Sequence, residues 1–305
     1  MKPSLFKTAA VALFCVLVSF HGMTWADDGR HGYDGPLIKL DGKKHSFTSR
    51  VICNFTPNQG NNQGGALYGN YIFMGNSRNS TILIYDISTG KQVGTMECPV
   101  VLHHNTMAFG IEGNGQFPYL YCSEWDGQHR ICAFSITKDG DKWGMKLVQT
   151  IYTNNVSAAR MGKGNLDFAI DEDNDRLILI AYTKVDGSDH VGNNSQYSIV
   201  RRMPQIADGA TVNISDDDIT ETFTLDVTEF RQDCLYNNGK LFITAGVPGW
   251  GLDRSLLYVV NLEKHCYDNI IDLKQVDSDE PETLELYDGG FLYIPIHGAA
   301  YKLTF

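Results

Sequence analysis

Five segments of the chain share one pattern, in which two short apolar runs flank a tight turn built on Gly, Asn or Asp. The five copies lie at residues 66–74, 107–121, 166–180, 234–243 and 284–294. Turn residues between two apolar runs of strand length predict β-hairpins. Helical periodicity is nearly absent elsewhere, whereas β-branched and aromatic runs bounded by turn residues recur. The pattern therefore predicts an almost wholly β protein.

The spacing of the hairpins predicts how they assemble. They recur at intervals of about 40–65 residues, and each is followed by more strand-like sequence, which is typical of a β-propeller with one blade per repeat. The phrases LYNNGKLFI at residues 235–243 and LYDGGFLY at residues 286–293 resemble those of the broad β-propeller superfamily. This resemblance spans the mature chain and points to no particular family. We predict a single all-β propeller of five blades, with six as the alternative because residues 211–230 of the long third repeat are ambiguous.

The two ends of the folded chain are predicted to meet. The last repeat is incomplete and ends with one strand at residues 299–305, while residues 46–55 form an unattached strand near the start. Free sheet edges promote aggregation, and propellers commonly avoid them by completing the last blade with a strand from the other terminus. We therefore expect residues 46–55 to pair with residues 299–305.

Residues 1–26 have the features of a signal peptide. Lys2 and Lys7 make a basic start, residues 9–20 are apolar but too short to cross a bilayer, and Thr24 and Ala26 are small residues suited to signal peptidase. The remaining residues, 27–305, form the predicted propeller domain. We expect an exported protein, periplasmic or extracellular, cut near Ala26 and without a later membrane span.

The charge of the chain restricts its partners. Asp and Glu number 36 against 25 Lys and Arg, which gives a net charge of -11, and no basic cluster offsets this excess. An acidic surface repels phosphate backbones. Nucleic acid is therefore excluded as an expected partner, and the oligomeric state stays open.

Six cysteines follow the signal peptide, an even number that permits up to three disulfides or a set of buried free thiols. They are Cys53, Cys98, Cys122, Cys132, Cys234 and Cys266. A tight turn at residues 126–128 would place Cys122 directly opposite Cys132 in a hairpin. That pair is the first candidate for a disulfide.

Polar and aromatic residues are distributed unequally between the two faces of the predicted disc. One face collects the first hairpin turns, which contain plain turn residues. The other face, which we call the mouth, collects the segments that lead into the inner strands and the connections between second and third strands. The leading segments lie at residues 58–63, 103–105, 160–165, 231–233 and 279–282, and the connections at residues 75–80, 123–130, 182–197, 246–254 and 297–298.

His, Trp, Arg and carboxylates on one mouth predict a site for a small polar ligand or glycan, because function concentrates on loops held by a rigid scaffold. A Trp beside carboxylates suits a sugar ring, which stacks on the indole. The alternative is a water-filled channel whose Arg–carboxylate pairs are structural. The candidate ligand-binding residues are Arg78, His104, Trp125, His129, Arg130, Arg231, Trp250, Arg254 and His297.

Two other functions stay open. Carboxylates from different blades would supply the acid and base of a glycoside-active hydrolase or lyase. The catalytic candidates are Glu124, Asp126, Asp167, Asp233 and Glu282. The third possibility is a protein-interaction scaffold without a small-molecule site, so the sequence does not decide whether the protein is an enzyme.

No cofactor is predicted. The chain has no Cys-x-x-Cys zinc pattern, no P-loop and no dinucleotide fingerprint. His103 and His104 are adjacent, and neighbouring residues of a strand point to opposite faces, so at most one of them reaches the channel. No metal site is assigned, and a divalent metal is kept as a minor alternative.

Overall fold

The computed structural model describes most of the predicted propeller. The described residues are 37–39, 48–54, 62–76, 80–100, 103–113, 115–123, 129–157, 166–182, 193–227, 230–248, 255–297 and 299–304. Within them the chain forms five sheets and one short 3-10 helix, and neighbouring inner strands touch around a closed ring. The fold is a five-bladed β-propeller, as predicted. None of the helical structure in these residues is long and apolar enough to cross a membrane.

Each blade is an antiparallel sheet whose strands follow one another outward from the axis. Two strands precede the blades, β1 (Leu37–Lys39) and β2 (Thr48–Asn54). Blade 1 contains β3 (Asn62–Tyr68), β4 (Tyr71–Asn76), β5 (Thr81–Asp86) and β6 (Lys91–Glu97). Blade 2 contains β7 (Met107–Gly113), β8 (Pro118–Ser123), β9 (Arg130–Asp139) and β10 (Lys142–Asn155).

The third repeat contributes one strand to the neighbouring blade 2. It contains β11 (Asp167–Asp171), β12 (Arg176–Tyr182), β13 (Asn193–Val200), β14 (Ala210–Ser215), the 3-10 helix Asp216–Asp218 and β15 (Ile219–Val227). Strand β14 leaves blade 3 and pairs in parallel with β10 of blade 2, and β15 then returns to complete blade 3. The ambiguous segment is therefore an added edge strand and the fourth strand of blade 3, and five is the correct blade number.

The last two blades incorporate the strands that precede the ring. Blade 4 contains β16 (Arg231–Asn237), β17 (Lys240–Ala245), β18 (Leu256–Asn261) and β19 (Cys266–Asp272), with β1 added in parallel to β19. Blade 5 contains β20 (Thr283–Tyr287), β21 (Gly290–Ile294) and β22 (Ala299–Thr304). Strand β2 pairs antiparallel with β22 and forms the outer strand of blade 5, so the predicted closure is confirmed.

The tight hairpin turns have the backbone that their residues favour. Asn238 and Gly239 have φ of 48° and 73°, and Asp288 and Gly289 have φ of 46° and 75°. Two successive residues with positive φ make the type I′ turn, whose twist matches that of a hairpin and which favours Asn, Asp and Gly. These turns join the first two strands of blades 4 and 5 on the face opposite the mouth.

The hydrophobic core lies between the blades. Each sheet is covered on both faces by its neighbours, which is why strands such as β4 and β12 are almost continuously buried. Between blades 1 and 2, Phe73 packs edge-on against Phe109, with ring centroids 5.2 Å apart, and against Trp143 at 5.7 Å. The blades are thus fixed by apolar contacts over most of their depth, and polar contacts concentrate near the axis.

Cys122 lies directly opposite Cys132 in the β8–β9 ladder, which confirms the predicted register. Both side chains are fully buried. The thiol of Cys122 is free in the structure, as are those of Cys98, Cys234 and Cys266, so Cys122 is opposite Cys132 without a disulfide bond. Cys53 lies in β2, whose side chains are outside the described part of the chain. A disulfide between Cys122 and Cys132 therefore stays a prediction.

The packing of β22, which pairs with β2 to close the ring, can be tested by its effect on stability. Leu303 of β22 is fully buried in the core between blades 4 and 5, whereas Leu286 of β20 is 36% exposed. We expect Leu303→Ala to lower the unfolding free energy by about 2–5 kcal/mol, because it opens a cavity beside the closure. Leu286→Ala, the matched control in the same blade, should cost less than about 1 kcal/mol by urea denaturation. Equal losses would contradict the proposed packing of the closing strand.

Candidate functional site

The beginnings of the five inner strands converge on the axis at the mouth side of the propeller. Each blade contributes polar side chains that are at most 5% exposed, and we call this group the channel floor. Its members are Gln63 from blade 1, Asn105 and Thr106 from blade 2, Asp167 from blade 3, Arg231, Gln232 and Asp233 from blade 4, and Glu282 and Thr283 from blade 5.

A buried ion pair joins blades 3 and 4. Arg231 Nε donates to Asp167 Oδ2 at 2.6 Å, and both side chains are fully buried. A second guanidinium nitrogen donates to Ser195 Oγ at 2.6 Å, and the guanidinium lies 3.7 Å from the ring centroid of Tyr182. Burial raises the pKa of the Asp167 carboxyl, and the charge and hydrogen bond of Arg231 oppose that shift. These contacts favour a structural role for the pair.

Asn105 connects blade 2 to both partners of the ion pair. Its Nδ2 donates to Asp167 Oδ1 at 3.3 Å and approaches the carbonyl oxygens of Arg231 and Gln232, each at 3.4 Å. Thr106 Oγ1 also donates to Asp167 Oδ1, at 3.2 Å. The Oδ1 atom of Asn105 has no hydrogen-bond partner within the described part of the chain. Asn105 therefore approaches acceptors in blades 3 and 4 and still has an unused acceptor of its own.

Asp233 fastens blade 4 to blade 5. Its two carboxylate oxygens accept from the backbone N–H of Cys234 at 2.9 Å and of Leu284 at 3.0 Å. Burial raises the pKa of Asp233 well above its ordinary range, and the charge of Asp167 adds to this. Both oxygens are thus engaged by backbone donors, and Oδ2 is the one that joins β16 to β20.

Glu282 fastens blade 5 to blade 1 through one oxygen only. Its Oε1 accepts from Gln63 Nε2 at 3.4 Å, and Thr283 Oγ1 donates to the carbonyl oxygen of Gln63 at 3.1 Å. Burial raises the pKa of Glu282 well above its ordinary range, and neighbouring carboxylates, of which Glu280 comes first, act in the same direction. The Oε2 atom has no hydrogen-bond partner among the described residues.

A partly exposed polar group lies beside the floor, and we call it the rim cluster. It consists of Gln232, Asp279, Glu280 and His297. Gln232 Nε2 donates to a carboxylate oxygen of Glu280, and His297 Nδ1 lies 3.0 Å from Asp279 Oδ2. Burial raises the pKa of Glu280 to about 7, while the Gln232 hydrogen bond opposes the shift and the Asp279 charge adds to it. Glu280 is thus a carboxyl group that exchanges its proton near neutral pH.

The structure brings five of the sequence candidates together. Asp167, Arg231, Asp233 and Glu282 lie in the channel floor, and His297 lies in the rim cluster. The first three have polar atoms engaged in contacts between blades. Their burial favours the structural interpretation that the sequence left open, whereas Glu282 and His297 keep the features of a ligand site.

His104 is fully buried where blades 1 and 2 meet. A Cβ atom added to Gly75 would lie only 2.3 Å from its Cβ, so the backbone of blade 1 runs directly against it. The residue has a left-handed φ of 60°, which is uncommon outside glycine. Burial, with a smaller contribution from His103, lowers its pKa to about 3, so the imidazole is neutral at physiological pH.

His129 and Arg130 are placed on an outer strand. Arg130 begins β9, the third strand of blade 2, and lies opposite Tyr152. His129 precedes it, is almost fully buried and accepts a backbone hydrogen bond from Thr153 at 2.9 Å through its carbonyl oxygen. These two candidates therefore lie away from the inner strands that form the floor.

The remaining candidates fall outside the described residues. They are Arg78, Glu124, Trp125, Asp126, Trp250 and Arg254. Their roles stay predictions. In the part of the chain that the structure does describe, no group of three or more His, Cys, Asp or Glu side chains is arranged to hold a metal ion.

Seven members of the site are not among the sequence candidates, namely Gln63, Asn105, Thr106, Gln232, Asp279, Glu280 and Thr283. Asn105, Gln232 and Glu280 lie in segments that lead into inner strands, which is the positional signal that identified their neighbours. Asn105 and Gln232 are neutral amides, so the selection of charged and aromatic residues excluded them. In the segment that contains both Glu280 and Glu282, the sequence candidate is Glu282.

Comparison with known proteins supports the fold and gives no family. No family model matches the chain, and no curated protein matches it. A solved structure of glutaminyl cyclase from Myxococcus xanthus is 10% identical, with a TM-score of 0.50 over 88% of this chain and 98% of that chain. A Thermus thermophilus protein described as a glucose dehydrogenase is 9% identical, with a TM-score of 0.49 over 85% of this chain and 100% of that chain. At such low identity the likeness concerns architecture alone.

Because the pair of Arg231 and Asp167 is buried, removing its cation should strongly lower the free energy of unfolding. Arg231→Met leaves the Asp167 carboxylate buried without a counter-charge, so we expect a loss of about 3–5 kcal/mol in the free energy of unfolding. The control is Lys146→Met, which breaks a 2.6 Å pair with Asp208 whose side chains are 66% and 65% exposed. That change should cost less than about 1 kcal/mol in the same urea titration. Similar losses for both variants would contradict the structural role of Arg231.

Glu280 predicts a pH dependence of stability. Its folded pKa of about 7 lies above the ordinary value of 4.5, so the folded state holds the proton more tightly than the unfolded state does. The stabilisation from this group is therefore present below pH 4.5 and is lost as the pH rises through about 7. Relative to Glu280→Gln, the wild-type unfolding free energy should fall across this window, as measured by urea denaturation at a series of pH values.

The control for this titration is Glu263→Gln, an exposed glutamate in the turn after β18. Its stability curve should run parallel to that of the wild type. The account of Glu280 is contradicted if the difference between the wild type and Glu280→Gln does not change with pH.

Proposed function

We propose that this protein is exported and binds a polar ligand, a carbohydrate in the leading interpretation, at the mouth of its central channel. The observation that carries the proposal is the rim cluster. Among the described residues it brings carboxylate, amide and imidazole groups together beside the channel floor, and Asp279, Glu280 and His297 of this cluster are partly exposed. The channel floor beneath it is almost fully buried, so the bulk of a ligand would sit above the floor and against the rim.

The chemistry of the rim cluster supports a hydroxyl-rich ligand. A carboxylate accepts hydrogen bonds, an amide both accepts and donates, and a neutral imidazole does the same. Asp279, Glu280, Gln232 and His297 together offer all of these functions. Ligand sites in proteins commonly combine such convergent polar groups with an apolar or aromatic wall. We propose that Trp125 and Trp250, which belong to segments predicted from the sequence to lie at the mouth, supply that wall, together with Arg78 and Arg254 as further hydrogen-bond donors.

A second candidate function is acid–base catalysis at the same place. Glu280 is the observation that favours it, because a partly exposed carboxyl with a pKa of about 7 can both give and take a proton near neutral pH. In a glycoside-active enzyme it would be the general acid. Asp167 and Asp233 fit that chemistry less well, because their oxygens are engaged between blades. The shared fold of the Myxococcus xanthus glutaminyl cyclase is an analogy of architecture and does not select the reaction.

Ligand binding can be tested with the mature chain, residues 27–305. A thermal-shift screen of neutral and charged oligosaccharides should find a glycan that raises the melting temperature, because a ligand of the folded state stabilises it by mass action. Calorimetric titration of that glycan into Glu280→Ala should give an affinity about tenfold or more weaker, since hydrogen bonds to a charged group are lost. Trp125→Ala is expected to weaken binding as well.

Glu263→Ala is the control, because it removes a carboxylate far along the chain from the rim cluster. It should leave the affinity unchanged. The proposal fails if no glycan raises the melting temperature, or if the affinity of the best glycan survives both Glu280→Ala and Trp125→Ala.

A further inference from the structure

Two hydrogen-bond acceptors of the channel floor are buried and unused. Glu282 Oε2 and Asn105 Oδ1 have no partner among the residues that the structure describes, and their residues are 0% and 1% exposed. A buried polar atom without a hydrogen-bond partner lowers the stability of the folded state, because it loses its hydration and gains nothing in return. Such atoms in native proteins therefore need an explanation. Two of them in the same channel floor favour a donor that the described residues do not supply.

The two acceptors border the same stretch of backbone. Gln63 donates to Glu282 from the start of β3, and the next residue, Gly64, lies against Asn105, whose carbonyl oxygen would be 2.3 Å from an added Cβ. Asn105 also reaches the carbonyl oxygen of Gln232, whose side chain donates to Glu280 of the rim cluster. Floor acceptors and rim cluster are thus parts of one continuous polar region.

This region is rich in carboxyl groups. Its carboxyl groups belong to Asp167, Asp233, Asp279, Glu280 and Glu282, and they act on one another electrostatically. Of the basic side chains described beside them, Arg231 is paired with Asp167 and His297 lies against Asp279. An excess of carboxylates with unused acceptors favours a ligand group that carries a positive charge and only donates.

We propose that the ligand of the mouth carries a primary ammonium group, which donates to Glu282 Oε2 and Asn105 Oδ1. An ammonium has three donors and no acceptor, so it complements these atoms without leaving a new polar group unused. This inference rests on the proposed function and makes it more specific. If the ligand is a carbohydrate, it is an amino sugar with a free amine and not a neutral or acetylated sugar.

Binding of an ammonium should displace a proton. Burial and the neighbouring carboxylates of Glu280, Asp233 and Asp279 raise the pKa of Glu282 well above its ordinary range, so this carboxyl holds a proton in the absence of a cation. A cation at hydrogen-bond distance favours the charged form and lowers that pKa. The carboxyl then loses its proton to the solvent as the ammonium arrives. The exchange balances, because one positive charge enters the site and one proton leaves it.

The test compares two ligands that differ only at the amine. Oligomers of glucosamine and of N-acetylglucosamine are titrated calorimetrically into the mature chain, at a pH below the ordinary pKa of an amino group. We expect the free-amine oligomer to bind about tenfold tighter or more, because a charge-assisted hydrogen bond replaces a neutral one. Titration in two buffers of different ionisation enthalpy should also reveal proton release, and this second measurement needs no variant.

The variant that tests the assignment is Glu282→Gln. It keeps the shape of the side chain and removes its charge, so the two oligomers should then bind within about twofold of each other, and proton release should disappear. Glu285→Gln, on the same strand β20, is the matched control and should keep the preference for the free amine. Circular dichroism and the melting temperature check that both variants are folded.

The outcomes separate this inference from the proposed function. Equal binding of both oligomers to the wild type, without proton release, would overturn the ammonium site and leave carbohydrate binding intact. Binding of glycinamide, a small amine that is not a sugar, with loss in Glu282→Gln and no binding of any oligomer, would support the ammonium site and overturn the carbohydrate. Stabilisation by calcium or magnesium ions that is lost in Glu282→Gln would also overturn the inference, because the floor would then hold a metal ion.

Discussion

The ion pair between Arg231 and Asp167 is the contact on which the geometry of the mouth depends. It lies at the axis, fully buried, and Asn105 attaches a third blade to it. A buried charge pair is weak evidence for stability in itself, because taking both charges out of water costs about as much as their attraction returns. The ion pair matters here because it fixes the positions of the blades relative to one another. Apolar contacts hold the five blades together but are not directional. The polar contacts give the inner ends of the blades one defined arrangement.

That arrangement explains why the floor holds unused acceptors. Asp167 and Asp233 have their oxygens satisfied by Arg231, Asn105 and backbone N–H groups. Glu282 is the carboxyl whose second oxygen is left over, and it lies next to the partly exposed rim cluster. In the proposed function, Asp167 and Asp233 have structural roles and Glu282 contacts the ligand, and this division follows from which strands supply hydrogen-bond donors.

Much of the fold could be predicted from the sequence because the information is local. Turn pairs such as Asn238–Gly239 specify the hairpin, and apolar runs of strand length specify strands covered on both faces. The closing strand followed from an incomplete last blade and a spare strand near the start. In contrast, β1 and β14 add in parallel to the outer strands of other blades. Such pairing depends on which edges come close in the folded ring, which no local periodicity encodes.

The site was less predictable for the same reason. The segments that lead into inner strands contain Arg231, Asp233 and Glu282, and the structure places all three in the channel floor, together with Asp167 from the start of the third hairpin. Asn105 joins Arg231 across 126 residues of sequence, and a neutral amide gives no signal of such a contact beforehand. Whether a carboxylate keeps a free oxygen depends on distances between blades. Glu280 therefore became a candidate only when its burial and its contact with Gln232 were known.

A double-mutant cycle on the axial ion pair tests the central claim most directly. Urea unfolding would be measured for the wild type, Arg231→Met, Asp167→Leu and the variant that combines both changes. The account predicts that the combined variant loses much less stability than the two single losses added together, with a coupling energy of about 1–3 kcal/mol, because only the single variants leave a buried charge unpaired. Losses that add would show that Arg231 and Asp167 act independently, and would contradict the view that their contact organises the mouth.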